Sequence, residues 1–443
     1  MPGVLKNIDY QDPFTRYKGQ KIIDNIKKFK HGLEYSIDLA IDIYYSLYLP
    51  FPRILEPSAL PIGAEKHYEI IKTLLVDEEA KALRHYTVAD SFASVAIGTL
   101  FLINLSEEMD KSNINQQSSG EGKSQGAAKR EQSEENQGEG SLSQDLNNVI
   151  KNAIRKTLDK AETIKEVESL VYGQRAGIGH TLNLDDDVST VLRLVRNTDI
   201  KNILALLAKI LDIKAFAKRK RVRYQRGEIE GYFMGFDVER IVPTELAYPS
   251  IYLYAKISEG NILLYDKILY MSLGPIYVLL DKSGSMDGNK ILWAKATALA
   301  LFMKSRIERR PYYIRFFDSE PYDLIKVKSG AKPSEVMKLI EYIAMVRNGG
   351  GTDISKAIIT ACNDILRNEV VRDVSDIIII TDGEDRIAKS LVRKSLQHAK
   401  AKLISVMVMG ENDDLKQISS KYLKVVKLTE KDAISVIEST GHE

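Results

Sequence analysis

Two apolar runs, far apart in the chain, each end in a carboxylate, and they restrict the fold more than any other feature. Ile276-Tyr-Val-Leu-Leu leads into Asp281, and Ile377-Ile-Ile-Ile-Thr leads into Asp382. Continuous apolar runs of this length suit strands buried on both faces, as in parallel sheets. The text around them alternates between two periods. It predicts helices over 291–307, 333–346, from 353 to about 366 and over 388–402, with strands over 312–317, 324–327, 403–409 and 423–428 before a closing helix. Such alternation calls for an α/β domain with a mostly parallel sheet and helices on both faces. Open sheets of this kind bind ligands at the carboxyl ends of their strands, which is where Asp281 and Asp382 would stand.

Three loops at that edge offer oxygen donors. The first carries Asp281, Ser283 and Ser285; the second, Asn348-Gly349-Gly350-Gly351-Thr352-Asp353, carries Thr352; the third carries Asp382. Residues two apart can point the same way from an extended turn, and the glycines let backbone approach a small ion closely. Two carboxylates and three hydroxyls, with no nitrogen or sulfur donor, favour a hard cation, Mg²⁺ first and Mn²⁺ or Ca²⁺ as alternatives. A water-filled coordination position would accept a carboxylate from a partner. Taken singly, the hydroxyls also suit helix caps and Asp382 a turn.

Catalysis fits less well. A strand ending in Asp also occurs in metal-dependent aspartyl-phosphate phosphatases, but their chemistry needs a second Asp two positions on, and Ser283 stands there. No Gly-x-Ser-x-Gly elbow surrounds Ser285 and no histidine completes a triad. The expectation is a non-catalytic protein.

At 443 residues the chain calls for two or three domains. Its net charge of +2 gives no global attraction to nucleic acid or membrane, and Cys362, the single cysteine, excludes disulfides and Cys-based zinc sites. The first residues lack the apolar core of a signal peptide, and Val95–Leu105 is about half of the ~20 residues that cross a bilayer. A cytoplasmic protein is expected.

Residues 1–110 read as a helical region. Ser36–Ile43 suits strand or helix, prolines 50, 52, 57 and 61 mark a loop, 64–84 reads as one charged amphipathic helix, and 87–109 as a more apolar one. His67 and His85 read as packing or surface residues. Residues 111–142, rich in Gln, Ser, Gly and Glu, are expected to be a disordered insertion. Their Gly122-Lys123-Ser124 lacks the strand and first glycine of a phosphate loop.

Residues 143–270 read as a further helical region and connector. It has a helix over 145–171, a glycine-punctuated turn over 173–179, three aspartates (185–187) at a helix start, and an apolar stripe of Ile200, Ile203, Leu204, Leu207 and Leu211. The segment 214–226 holds seven cations and no anion, which suits a polyanion such as nucleic acid, an acidic protein partner, or simple solvation. Pro243-Thr244-Glu245 opens a predicted helix to Ile257. The α/β domain would occupy 271–443.

Asp281-x-Ser283-x-Ser285, then Thr352, then Asp382 in Thr-Asp-Gly, resembles the metal-ion-dependent adhesion site of von Willebrand factor A domains. The resemblance covers residue 275 to the C-terminus. It implies a Rossmann-like doubly wound sheet with one antiparallel edge strand, and a divalent cation that bridges to an acidic residue of a protein ligand. The pattern Gly231, Gly235, Asp237, Arg240 and Pro243-Thr244-Glu245-Leu246, just upstream, is similar to the CoxE/ViaA-like proteins. In that group a helical N-terminal region precedes a von Willebrand A domain, and members work with MoxR-type AAA+ ATPases in maturation, metal insertion or assembly of other complexes. The resemblance implies a chaperone-like adaptor with such a partner.

Overall fold

The computed structural model describes residues 3–120 (without 31 and 34), 138–172, 184–211 (without 197), 222–269, 274–367 and 374–440 (without 384). The chain divides into two compact units: residues 1–205 with 332–345, and residues 206–331 with 346–443. A helical N-terminal region precedes a mostly parallel sheet.

The first unit is built of helices. Ile37–Tyr48 is helical, its N-terminus capped by the Ser36 side chain accepting from Leu39 N at 3.2 Å, which settles the ambiguous 36–43 stretch. Residues 64–84 do not form one helix. Two helices, Glu65–Val76 and Glu78–Thr87, meet at Asp77, whose extended backbone ends the first while its carboxylate caps the second at Glu79 N and Ala80 N. An N-cap inside an amphipathic run breaks it without disturbing the apolar period.

The apolar stretch becomes the helix Ser91–Gly120, and Gly138–Tyr172 forms another; Asn104 Nδ2 donates to Thr157 Oγ1 between them at 2.9 Å, fully buried. Both helices run into the 111–142 stretch expected to be unstructured, covering its two flanks, and 121–137 lies outside the described residues. Residues Ser91–Ser112 are long and apolar enough to cross a membrane by length and composition, and 78% of that window is buried inside the protein. His67 is buried, with Nε2 2.9 Å from Asp42 Oδ2, while His85 is exposed. The helix Leu184–Val195 begins at the three aspartates, and Ile200, Ile203, Leu204 and Leu207 are buried along Thr198–Leu211. The turn at 173–179 lies outside the described residues.

The second unit holds two sheets. Strands β1 (Val222–Gly235) and β2 (Ile262–Leu269) pair antiparallel, where the sequence had suggested helix and connector. Between them the expected helix from Pro243 is split. A short 3₁₀ turn, Pro243–Ala247, precedes Pro249, and Ser250–Glu259 is the helix proper, closed by Gly260 at φ 70°. The basic segment 214–226 lies outside the described residues apart from the backbone of 222–226 in β1.

The larger sheet contains β3 (Ile276–Asp281), β4 (Tyr312–Phe317), β5 (Pro321–Val327), β6 (Ser375–Thr381), β7 (Ala401–Val408) and β8 (Lys421–Val425). Their order is β5-β4-β3-β6-β7-β8, with β4–β5 antiparallel at one edge and every other pair parallel. Side chains alternate between faces, and both faces are apolar. Tyr277, Leu279, Ile377 and Ile379 bury against helices Ile354–Arg367 and Lys389–His398. On the other face Tyr312 donates to Ala298 O at 2.7 Å, and Lys304 donates to Ile437 O and Thr440 O, tying helices Asn289–Ile307 and Glu430–Ser439 to the sheet and to each other. After β3 the chain winds toward β4, whereas β6 leads to β7 and β8 on the other side. The switch point therefore falls between β3 and β6, where the two carboxylates emerge.

Candidate functional site

Strand register builds the centre. Leu280 pairs with Ile380, so Asp281 and Thr381 finish side by side at the carboxyl ends of β3 and β6. Asp281 is fully buried; its Oδ1 accepts from Ser283 N at 2.8 Å and its Oδ2 from Thr381 Oγ1. Burial pushes the Asp281 carboxyl above its ordinary value against the lowering effect of the bonds from Thr381 and Ser283, and the neighbouring Asp382 charge adds to the rise.

From there a polar chain runs outward. Ser283 Oγ lies 3.1 Å from Ser285 Oγ, and Ser285 Oγ donates to Asp382 Oδ1 at 2.7 Å. Lys290, in the first turn of helix Asn289–Ile307, donates to the other oxygen of Asp382 at 2.6 Å and to Ser285 O at 3.1 Å. The Asp382 side chain is 3% exposed, so this ammonium is the cation that its carboxylate meets.

The glycine-rich loop closes the third side. Gly349 N donates to Lys282 O at 2.8 Å and Gly284 N to Gly350 O at 3.4 Å, fastening the second loop to the first. Gly350 has φ 98°, and a Cβ there would stand 2.6 Å from Asp318 Oδ2, so only glycine fits. Asp318 also holds Lys282 Nζ at 3.0 Å, and its carbonyl accepts from Asp353 N at 2.9 Å. Thr352 is thereby carried to the third loop: a Cβ on Gly383 would meet its Cγ2 at 3.1 Å and its Oγ1 at 3.5 Å. Gly410 passes beneath, where a Cβ would lie 2.7 Å from the Asp382 carbonyl oxygen.

The structure thus places Asp281, Ser283, Ser285, Thr352 and Asp382 on three interlocked loops at one sheet edge. Sequence reasoning did not pick out Thr381, Lys290, Asp318 or Gly410. Thr381 adjoins Asp382 at the end of the apolar run; Lys290 lies five residues after Ser285, but its bond to Asp382 joins segments far apart in sequence, as do the contacts of Asp318 and Gly410. Among the described residues no three His, Cys, Asp or Glu side chains gather into a cluster. A cation here would therefore be held by two carboxylates, hydroxyls and water, a donor set that suits a small hard ion that keeps part of its hydration.

Residues 276–384 match the family model of the von Willebrand factor type A domain. An uncharacterized protein of Methanocaldococcus jannaschii is 26% identical over 462 aligned positions, covering 98% of this chain and 100% of that protein. A second uncharacterized protein of the same organism is 27% identical, covering 64% of this chain and 75% of its own length. Among solved structures, von Willebrand factor type A from Catenulispora acidiphila is 14% identical with a TM-score of 0.32, covering 40% of this chain and 43% of that one. The family match and the sheet order together support a von Willebrand A domain in the C-terminal part of this chain, a domain type that points to protein–protein interaction.

Proposed function

We propose that the C-terminal domain captures a protein partner through a divalent cation, Mg²⁺ in the first instance, held by Asp281, Ser283, Ser285, Thr352 and Asp382. The reading rests on one observation above all: the polar chain from buried Asp281 through Ser283 and Ser285 to Asp382, with Thr352 delivered beside it. A bound cation would supply a concentrated positive charge that takes a carboxylate from the partner as a further ligand. The protein's own part is positioning. Thr381 and Ser283 N orient Asp281, and the Gly349 and Asp353 backbone bonds set the height of Thr352. Burial keeps Asp281 poorly solvated, so a cation that neutralises it recovers part of a desolvation cost.

The partner we assign is a MoxR-type AAA+ ATPase, with the protein serving as a chaperone-like adaptor in the assembly or maturation of client complexes. That assignment rests on the upstream Gly231 to Leu246 pattern and is separable from the cation reading. In a pull-down of such an ATPase with purified full-length protein, Mg²⁺ should be required and EDTA should abolish capture. Asp281→Ala and Thr352→Ala should each weaken it by roughly a hundredfold or more, about 2.7 kcal/mol. Circular dichroism of both variants should match the unmodified protein. Capture indifferent to chelator and to both substitutions would overturn the cation-dependent reading.

A further inference from the structure

Lys290 has no part in the site as read from spacing, yet it touches two of its elements. Its Nζ lies 2.6 Å from Asp382 Oδ2 and 3.1 Å from the Ser285 carbonyl oxygen. Gly288, at φ 76° and ψ −129°, sets the turn that starts helix Asn289–Ile307 and lets Lys290 reach back to the first loop. Lys282, the other ammonium on that loop, is engaged elsewhere, by Asp318 at 3.0 Å. Lys290 is therefore the ammonium that shares a carboxylate with the candidate cation site. Its side chain is 27% exposed against 3% for Asp382, so it has freedom to move that its partner lacks.

We propose that Lys290 is a built-in positive charge that weakens the site's intrinsic hold on a divalent cation and makes the loaded site selective for an anionic partner group. The inference rests on the cation reading above and adds a specificity-determining residue to it. Asp281 and Asp382 alone would be neutralised by one divalent cation. With Lys290 in place the loaded centre keeps one unit of positive charge, which an incoming carboxylate cancels. The same ammonium repels the cation and attracts the carboxylate, while cation and carboxylate attract each other directly, so the two bind cooperatively by linkage and Lys290 shifts the balance between them toward the anion. The tetrahedral bulk of the lysine is not what matters; its charge is.

The test titrates Mn²⁺ alone into the full-length protein by calorimetry, and then acetate into the Mn²⁺-loaded protein, followed by Mn²⁺ paramagnetic resonance. Lys290→Met should bind Mn²⁺ about tenfold tighter or more, because a unit charge a few ångströms from a divalent ion is worth that even in water-like surroundings. Its loaded form should respond to acetate less than the unmodified protein does. Lys290→Arg, which keeps the charge, should restore both behaviours. Circular dichroism checks that each variant is folded. Mn²⁺ affinity in Lys290→Met that is unchanged or weaker, with the fold intact and Asp281→Ala still abolishing binding, overturns the role of Lys290 and leaves the cation reading standing. If neither the unmodified protein nor Lys290→Met takes up Mn²⁺, the cation reading fails and this inference with it. Mn²⁺ uptake only in Lys290→Met supports the inference in its strongest form.

Discussion

At the scale of single residues, the site depends as much on atoms that are missing as on those that donate. Gly410 lies where a methyl group would stand 2.7 Å from the Asp382 carbonyl oxygen, and backbone on both sides leaves little room to yield. Gly410→Ala should therefore destabilise the domain by about 1–3 kcal/mol, as overpacking does. It should also weaken divalent binding by displacing the loop that carries Asp382. Urea denaturation and Mg²⁺ titration of the same variant check both, and an alanine variant of unmodified stability would show that the loop relaxes freely. The donor residues themselves could be read from the sequence because their types and the two-residue spacing of Asp281, Ser283 and Ser285 are local. Gly410 and Lys290 could not. Gly410 reaches the site from a strand end elsewhere in the chain, and Lys290, five residues after Ser285, takes its meaning from an ion pair with Asp382, 92 positions away.

At the scale of elements, what could be read followed burial. The strands β3 and β6 are buried along their whole length, and their apolar runs announce them. The edge strand β5, half exposed, showed only its last four residues, and β1 and β2 did not show at all. At the end of β1, Tyr232 and Met234 are exposed while Phe233 between them is half-buried, so apolar residues stand on both faces and the usual alternation gives no strand signal. Helix boundaries were lost at Asp77, where a cap falls inside a continuous amphipathic pattern, and at Pro249, which separates the 3₁₀ turn from helix Ser250–Glu259. One cap carries a testable share of the stability. Thr429 and Asp432 form a reciprocal capping box at the start of helix Glu430–Ser439, and the Thr429 carbonyl accepts from Trp293 Nε1 at 3.2 Å. Thr429→Ala removes the side-chain half of this arrangement and should cost about 1 kcal/mol. Thermal denaturation should place the variant a few degrees lower, and Thr429→Ser should recover most of the loss.

At the scale of the whole molecule, the division into units does not follow the sequence. Helix Pro333–Met345 lies between β5 and the loop carrying Thr352, and the alternating pattern assigns it to the α/β domain. In the structure it clusters with residues 1–205, against helices Gly138–Tyr172 and Leu184–Val195, and buries Val336, Met337, Leu339, Ile340 and Ile343. Period alone shows that a helix has an apolar face and says nothing of which neighbour covers it. The sequence could not separate these cases, and the distinction has a consequence for any excised domain. A fragment of residues 274–440 would carry this helix without the two helices that contact it in the first unit. Five large apolar side chains would lose partners, each fully buried one being worth about 1.5–3 kcal/mol. The isolated fragment should bind a hydrophobic dye such as ANS and associate at micromolar concentration, and Leu339→Lys with Ile343→Glu should suppress both without altering the circular dichroism of the sheet. A fragment that stays monomeric and dye-silent without those changes would mean that the helix finds its cover within the α/β domain.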